Sequence, residues 1–170
     1  MPNNAPDPSA DLRQVPWFKV LDQSGWAELL AATQLRSYSP GQVVFLEGTP
    51  PENLYLVRQG WVKAVKLSSE GREQILDFMG PGQPLNVAPV FAEQPHPATL
   101  IAQEACELWA IRQSTLLALL DRYPLMARLI IRTLAGRLLH TTPPLGYASG
   151  DGRPTGHCAG CGQPRLAQSG

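Results

Sequence analysis

Ser39-Pro40-Gly41-Gln42-Val43-Val44-Phe45-Leu46-Glu47-Gly48-Thr49-Pro50-Pro51-Glu52-Asn53-Leu54-Tyr55-Leu56-Val57-Arg58-Gln59-Gly60-Trp61-Val62-Lys63-Ala64-Val65 is the stretch that decides the fold. Its apolar runs are short, and a further one, Ile75-Leu76-Asp77-Phe78-Met79, follows. Glycines stand at the joints, at Gly41, Gly48, Gly60, Gly71 and Gly82, with Pro40, Pro50, Pro51 and Pro81 beside them. β-Branched and aromatic runs parted by turn residues about every 8–12 positions predict the strands of a sandwich or small barrel. A continuous helix is excluded, because each interior glycine or proline costs it roughly 1 to 3 kcal/mol.

Outward from this centre the pattern changes. Residues 1–10 hold three prolines and two asparagines and read as a disordered lead. Residues 11–35 read as helical: Trp17, Phe18 and Leu21 form an apolar cluster, and Asp22 or Ser24 caps a helix carrying Trp26, Leu29 and Leu30. Residues 82–99 contain four prolines in eighteen positions, which excludes a central strand or a long helix. A loop so placed between strands is where a roll holds a binding site. Strand patterning returns at Thr99-Leu100-Ile101-Ala102 and Glu107-Leu108-Trp109-Ala110-Ile111. Ser114 opens a helix, and Pro124 falls in the first turn of a second one running to about His140.

That last helix is unusually apolar. At 100° per residue, Leu125, Met126, Leu129, Ile130, Ile131, Leu134 and Leu138 cover about 240° of its circumference, against the ~100° stripe of a one-sided surface helix. Arg128 and Arg132 mark the narrow wet strip. Two buried sides are therefore expected, one on the chain's own roll and one on a twin. Residues 125–140 are the expected homodimer seam, with Ile131, Leu134 and Leu138 at its centre. Beyond it, residues 141–170 are rich in glycine, proline and serine and have too few large apolar side chains to pack a core. The expected organisation is a lead over 1–10, a β-roll with flanking helices over 11–140, and a disordered or truncated tail over 141–170.

Composition narrows the function. Fourteen basic and fourteen acidic residues cancel, so no global field draws the chain to nucleic acid. No apolar run approaches the roughly 18 residues of a membrane span, and the start lacks a signal peptide's apolar segment. A cytoplasmic protein is expected, without membrane partners. Three cysteines, Cys106, Cys158 and Cys161, suit a reducing compartment. Cys158 and Cys161 have the spacing of half a zinc site, but His157 directly precedes Cys158 and no fourth ligand is near, so no metal is expected. Cys106, in a strand, reads as buried and inert. His96 and His140 invite a haem reading, yet no apolar haem pocket is declared, and no cofactor is expected. No nucleophile elbow, phosphate loop, zinc-protease pair or dinucleotide fingerprint occurs, so the chain reads as non-enzymatic.

Together these pieces resemble the sensory half of the cAMP receptor protein/fumarate-nitrate regulator (CRP/FNR) family. The residues that carry the resemblance are Trp17-Phe18-x-x-Leu21, Pro40-Gly41-x-x-x-Phe45-x-x-Gly48, Leu54-Tyr55-x-Val57-x-x-Gly60-x-Val62, Gly71-Arg72-Glu73-x-Ile75-Leu76, Gly80-Pro81-Gly82 and Tyr123-Pro124, over residues 15–140. The resemblance implies a jelly-roll sensor of the cyclic-nucleotide-binding type, a long dimerising helix, and normally a C-terminal helix-turn-helix. In members that bind cyclic nucleotides, the loop after the last of those glycines carries a Gly-Glu pair for the ribose and later an Arg-Ser/Thr-Ala for the cyclic phosphate. Here those positions read Asn86-Val87 and His96-Pro97-Ala98, so tight cAMP binding is not expected.

The loop shape is retained, and a small anionic effector, nucleotide or otherwise, remains open. Its candidate contacts are Gly82, Leu85, Asn86, Val87, Ala88, His96, Pro97, Ala98 and Thr99, with Thr141 and Thr142 where relatives place hydroxyls near the base. No helix-turn-helix pattern follows His140, so DNA binding is not expected of this chain. A natural one-domain protein and a truncated or frame-shifted regulator both fit that ending. The other function class is a ligand-free roll that dimerises or docks a partner through its apolar helix.

Overall fold

The computed structural model describes residues 6–68 and 70–141. Among them the order is α1 (Ser9–Leu12), a 3-10 helix (Pro16–Val20), α2 (Gln23–Ala31), β1 (Thr33–Tyr38), β2 (Val43–Phe45), β3 (Asn53–Gln59), β4 (Val62–Leu67), β5 (Glu73–Met79), β6 (Pro84–Leu85), α3 (Val87–Ala92), β7 (Thr99–Ala102), β8 (Cys106–Arg112), α4 (Gln113–Arg122) and α5 (Pro124–Thr141). The strands form two four-stranded sheets, β1-β8-β3-β6 and β2-β7-β4-β5, with every pairing antiparallel. This is the expected β-roll with flanking helices.

The unbroken apolar runs of β3 and β8 have a simple cause: both strands are covered on both faces. Leu54, Leu56, Trp109 and Ile111 point into a core shared with the helices, where Trp17, Phe18, Leu29, Leu116, Leu119, Met126 and Ile130 close over them. Their alternates Tyr55, Val57, Cys106, Leu108 and Ala110 point between the sheets and meet Val62, Leu85, Leu100 and Ala102. Period-two alternation sends successive residues to opposite faces, and here each face finds an apolar layer. Burial pushes the Tyr55 hydroxyl up to about 12, with the neighbouring Tyr38 a smaller cause, and raises the Cys106 thiol. Cys106 thus sits as a buried, weakly acidic thiol. The outer sheet is different: β5 is exposed along most of its length.

All five joint glycines adopt φ between +76° and +81°. Gly60 is the most constrained. A Cβ there would lie 2.6 Å from the Ala105 carbonyl oxygen and 2.7 Å from the Cys106 Cβ, whereas Gly41 has nothing within 4 Å of its added Cβ. Gly60→Ala is expected to cost about 2 kcal/mol or more and Gly41→Ala about 1 kcal/mol, since only the first adds a steric clash to the left-handed backbone. Urea midpoints compare them; equal losses would contradict the close approach at Gly60.

Several expectations shift. Ser9 and Ala10 belong to α1 rather than to the lead. Residues 33–35 are strand: Thr33 to Tyr38 pair with β8 from Ile111 to Cys106, which ends α2 at Ala31. Asp22 does cap α2, accepting from the Gly25 N–H at 2.9 Å. The proline-rich loop contains a two-residue strand and the short helix α3, in which Pro89 sits in the first turn, where its missing N–H costs nothing. α4 begins at Gln113, with no side-chain cap from Ser114.

On α5, Met126 and Ile130 are buried, and Leu134, four residues further on, packs against the same core. Leu134 therefore serves the chain's own fold, while Ile131 and Leu138 face outward, 65 % and 71 % exposed. No helix among the described residues is long and apolar enough to cross a membrane.

Candidate functional site

The segment joining β5 to β7 builds the site. Gly82 turns the chain and donates its N–H to the Val57 carbonyl at 2.8 Å. β6 then pairs with β3 through Leu85↔Tyr55 and Pro84↔Leu56. Asn86 reverses the chain at φ 64°, in the left-handed region that asparagine tolerates better than most side chains. The next residue starts α3, which buries Val87 and Val90.

Asn86 is held on both sides of its amide. Its Nδ2 donates to the Asn53 carbonyl at 3.0 Å, and its Oδ1 lies 2.8 Å from His96 Nδ1. An acceptor oxygen needs a donor opposite, so Nδ1 carries the imidazole proton and Nε2 is bare. The His96 ring is 4 % exposed and stacks on Phe45, with centroids 3.8 Å apart and planes 12° from parallel. Its backbone N–H donates to the Thr49 carbonyl at 3.0 Å, and its own carbonyl accepts from Gly48 at 2.9 Å. Burial holds the imidazole below its ordinary 6.5, favouring the neutral ring.

Between this segment and α5 lies a cavity of about 190 Å³. Leu85, Asn86, Val87, Ala88 and Pro89 form one wall, and Pro97, Ala98, Thr99 and Leu100 form the opposite one. Phe45, Ala64 and Met79 contribute from the strands, and Arg137 reaches it from α5, donating to the Pro84 carbonyl at 3.1 Å. A larger hollow of about 440 Å³ lies beside α2, where Arg13 covers the Trp26 ring at 4.8 Å. It gathers none of the loop residues.

Of the residues singled out from sequence, Leu85, Asn86, Val87, Ala88, Pro97, Ala98 and Thr99 are brought together around the cavity. Gly82 shapes the turn without lining it, and His96 stands behind Asn86, turned into the roll. Thr141 ends α5; its side chain, Thr142, Cys158 and Cys161 lie outside the described residues, as does the expected tail. Among the described residues no group of three His, Cys, Asp or Glu side chains gathers as a metal site would require.

Arg137 escaped the sequence reading, although a signal existed. It follows Ile130 by seven positions and Leu134 by three, so it continues the core-facing line of α5. A cation on that line marks a place where the core gives way to something polar. Phe45, Ala64, Met79, Pro89 and Leu100 were read only as strand or loop residues, and nothing local distinguishes them.

The chain belongs to the cyclic nucleotide-binding domain family, whose sequence profile matches residues 35–123. It is 34 % identical over 109 residues to the cyclic AMP receptor protein of Thermus thermophilus, covering 64 % of this chain and 50 % of that one. It is 32 % identical over 127 residues to the CRP-like cAMP-activated global transcriptional regulator of Mycobacterium tuberculosis, covering 73 % and 55 %. The chain thus spans about half the length of these curated relatives. Among solved structures, it resembles the N-terminal domain of a transcriptional regulator from Streptomyces coelicolor, with a TM-score of 0.62 and 33 % identity over 78 % of this chain and 94 % of that one. It also resembles the sensor domain of the transcriptional regulator DNR from Pseudomonas aeruginosa, with a TM-score of 0.70 and 26 % identity over 81 % and 94 %.

Proposed function

We propose that this chain is the non-catalytic, effector-sensing domain of a CRP/FNR-type transcriptional regulator, working as a homodimer, whose site is the cavity beneath α5 and whose effector is not a cyclic nucleotide. One observation carries the reading: the two loop positions that would hold ribose and cyclic phosphate are turned to other uses. Val87 is buried in the helical core, and His96 is stacked on Phe45 and bonded to Asn86. The loop offers a cyclic phosphate no cation for a charge-assisted hydrogen bond; Arg137, which also lines the cavity, comes from α5 instead.

The cavity joins the roll to α5 through Arg137, so an occupant touches both elements. Differential contact with two packings of α5 is what a sensor needs in order to shift its population. Calorimetry of the full chain with cAMP and cGMP is expected to show no saturable binding below about 1 mM, a free energy weaker than about −4 kcal/mol. A micromolar dissociation constant for either nucleotide would refute the exclusion.

A further inference from the structure

We propose that the hollow beside α2 is a docking surface for an acidic, amphipathic segment of a partner protein. This stands apart from the reading of the cavity beneath α5. The floor of the hollow is apolar, made by Leu21 and Trp26, both partly exposed, and by the buried Phe18. Two cations line it. Arg13 covers the Trp26 ring at 4.8 Å, and Lys19 is exposed on the 3-10 helix.

Charge decides the occupant. The carboxylates of residues 6–32 are Asp7, Asp11, Asp22 and Glu28, and each already has a partner. Asp7 accepts from the Ser9 N–H at 2.9 Å and Asp11 from the Trp109 Nε1 at 2.7 Å. Asp22, the acid that lines the hollow, accepts from the Gly25 N–H at 2.9 Å and the Tyr123 hydroxyl at 2.6 Å. Glu28 is bonded to Arg122. Arg13 and Lys19, by contrast, have no carboxylate oxygen within 4.0 Å among the described residues. The Asp7 carboxyl is held below its ordinary value chiefly by its bonds to Ser9, with Arg13 the smallest influence. A stacked guanidinium keeps donors for a carboxylate, and tryptophan and arginine together are what anchor protein interfaces. Two cations are too few for other polyanions: polybasic membrane attachment uses about four to eight basic residues, and nucleic-acid binders neutralise several phosphates. A peptide segment that sets carboxylates beside an apolar side chain matches both the charge and the floor. The 3-10 helix carrying Phe18 and Lys19 also packs against α5, so a docked segment is one element away from that helix.

The test titrates the full chain into a fluorescein-labelled peptide, Glu-Asp-Leu-Phe-Glu-Asp-Leu-Leu, and reads its anisotropy. The comparisons are an amide peptide with glutamine and asparagine for the acids, a peptide with serine for leucine and phenylalanine, phosphatidylserine vesicles and single-stranded DNA. The acidic peptide is expected to bind saturably and about tenfold more tightly than the amide peptide, with the difference shrinking as salt rises. The serine peptide should bind about fivefold more weakly than the acidic one. Arg13→Glu and Lys19→Glu, both at exposed positions, should each weaken the acidic peptide about fivefold or more while keeping the wild-type melting temperature. Arg72→Glu changes the net charge equally on the turn between β4 and β5, and should leave binding within about twofold.

Equal binding of the amide peptide would overturn the charge match, and equal binding of the serine peptide would overturn the apolar floor; either result defeats the proposal. Binding that Arg13→Glu and Lys19→Glu leave intact, or that Arg72→Glu weakens as much, would place the peptide elsewhere and overturn it too. Vesicles or DNA held more tightly than the peptide, with the same dependence on Arg13 and Lys19, would replace the protein partner by a membrane or a nucleic acid. No saturable binding of the acidic peptide would also overturn the proposal, and none of these outcomes bears on the cavity beneath α5.

Discussion

Replacing His96 by alanine is expected to destabilise the domain by about 3 kcal/mol, a large share of the 5–15 kcal/mol typical of a folded domain. Three losses add. The stacked pair with Phe45, at 3.8 Å and 12°, is worth about 1 kcal/mol beyond its buried area. The Asn86 Oδ1 loses its donor inside the protein, at a cost of about 1 to 2 kcal/mol. The ring also leaves a void that backbone bonds to Gly48 and Thr49 keep from collapsing. His96→Phe separates these terms: it retains the stack and the volume but not the donor, and should lose about 1 to 2 kcal/mol. Urea denaturation of the three proteins measures both values, and a His96→Ala variant within 0.5 kcal/mol of wild type would show that the stack and the hydrogen bond carry no stability.

The same residue gives the fold a pH dependence of known sign. Burial lowers the native pKa of His96 below 6.5, so the folded protein resists a proton that the unfolded chain accepts. The contribution is present in full above the unfolded value near 6.5. It is lost as the pH falls below that value toward the lowered native one. Wild-type stability should therefore decline more between about pH 7.5 and pH 5 than that of His96→Phe. His140 and His157 are common to both proteins, so their titration cancels in the comparison. Parallel stability curves would place a freely titrating imidazole at position 96.

Most of the roll was legible because its information is local. Turn glycines separate runs too short for helices, and those glycines all take the left-handed backbone that no other residue adopts so cheaply. What was not legible depends on partners distant in the chain. Thr33-Gln34-Leu35-Arg36-Ser37-Tyr38 continues the leucine spacing of α2, and only the ladder to β8, some seventy residues later, makes it a strand. The prolines marked the loop as a candidate site, and seven of the residues named there line the cavity. Its interior was not foreseen. That His96 turns inward onto Phe45 and fixes Asn86 requires Phe45 to arrive from β2, fifty-one residues away, and no periodicity encodes that meeting. Leu134 shows the opposite limit: a helical arc gives which residues share a side, but only the packed roll decides where the seam between own core and outside falls.

Changing Ile131 and Leu138 together to glutamate is expected to turn a dimer into a monomer. The two side chains are seven positions apart on α5, hence on one line of its surface, and Leu139 beside them is 78 % exposed. Met126, Ile130 and Leu134 pack the inner line of the helix against its own roll, whereas Ile131 and Leu138 lie 65 % and 71 % exposed on a second apolar line. Burying each such side chain against a copy is worth about 1.5 to 3 kcal/mol, and a twofold interface counts every contribution twice, enough to exceed the cost of association at micromolar concentration. Two glutamates per chain would instead place like charges across the axis and cost their desolvation in an apolar seam. Because both positions are exposed in the single chain, the substitution should leave its secondary structure intact by circular dichroism. Sedimentation equilibrium is expected to give twice the 18.5 kDa chain mass for the wild type and the single mass for the double variant. A wild type that sediments at the single mass would remove the dimer, and a double variant that still pairs would move the twofold contact off α5.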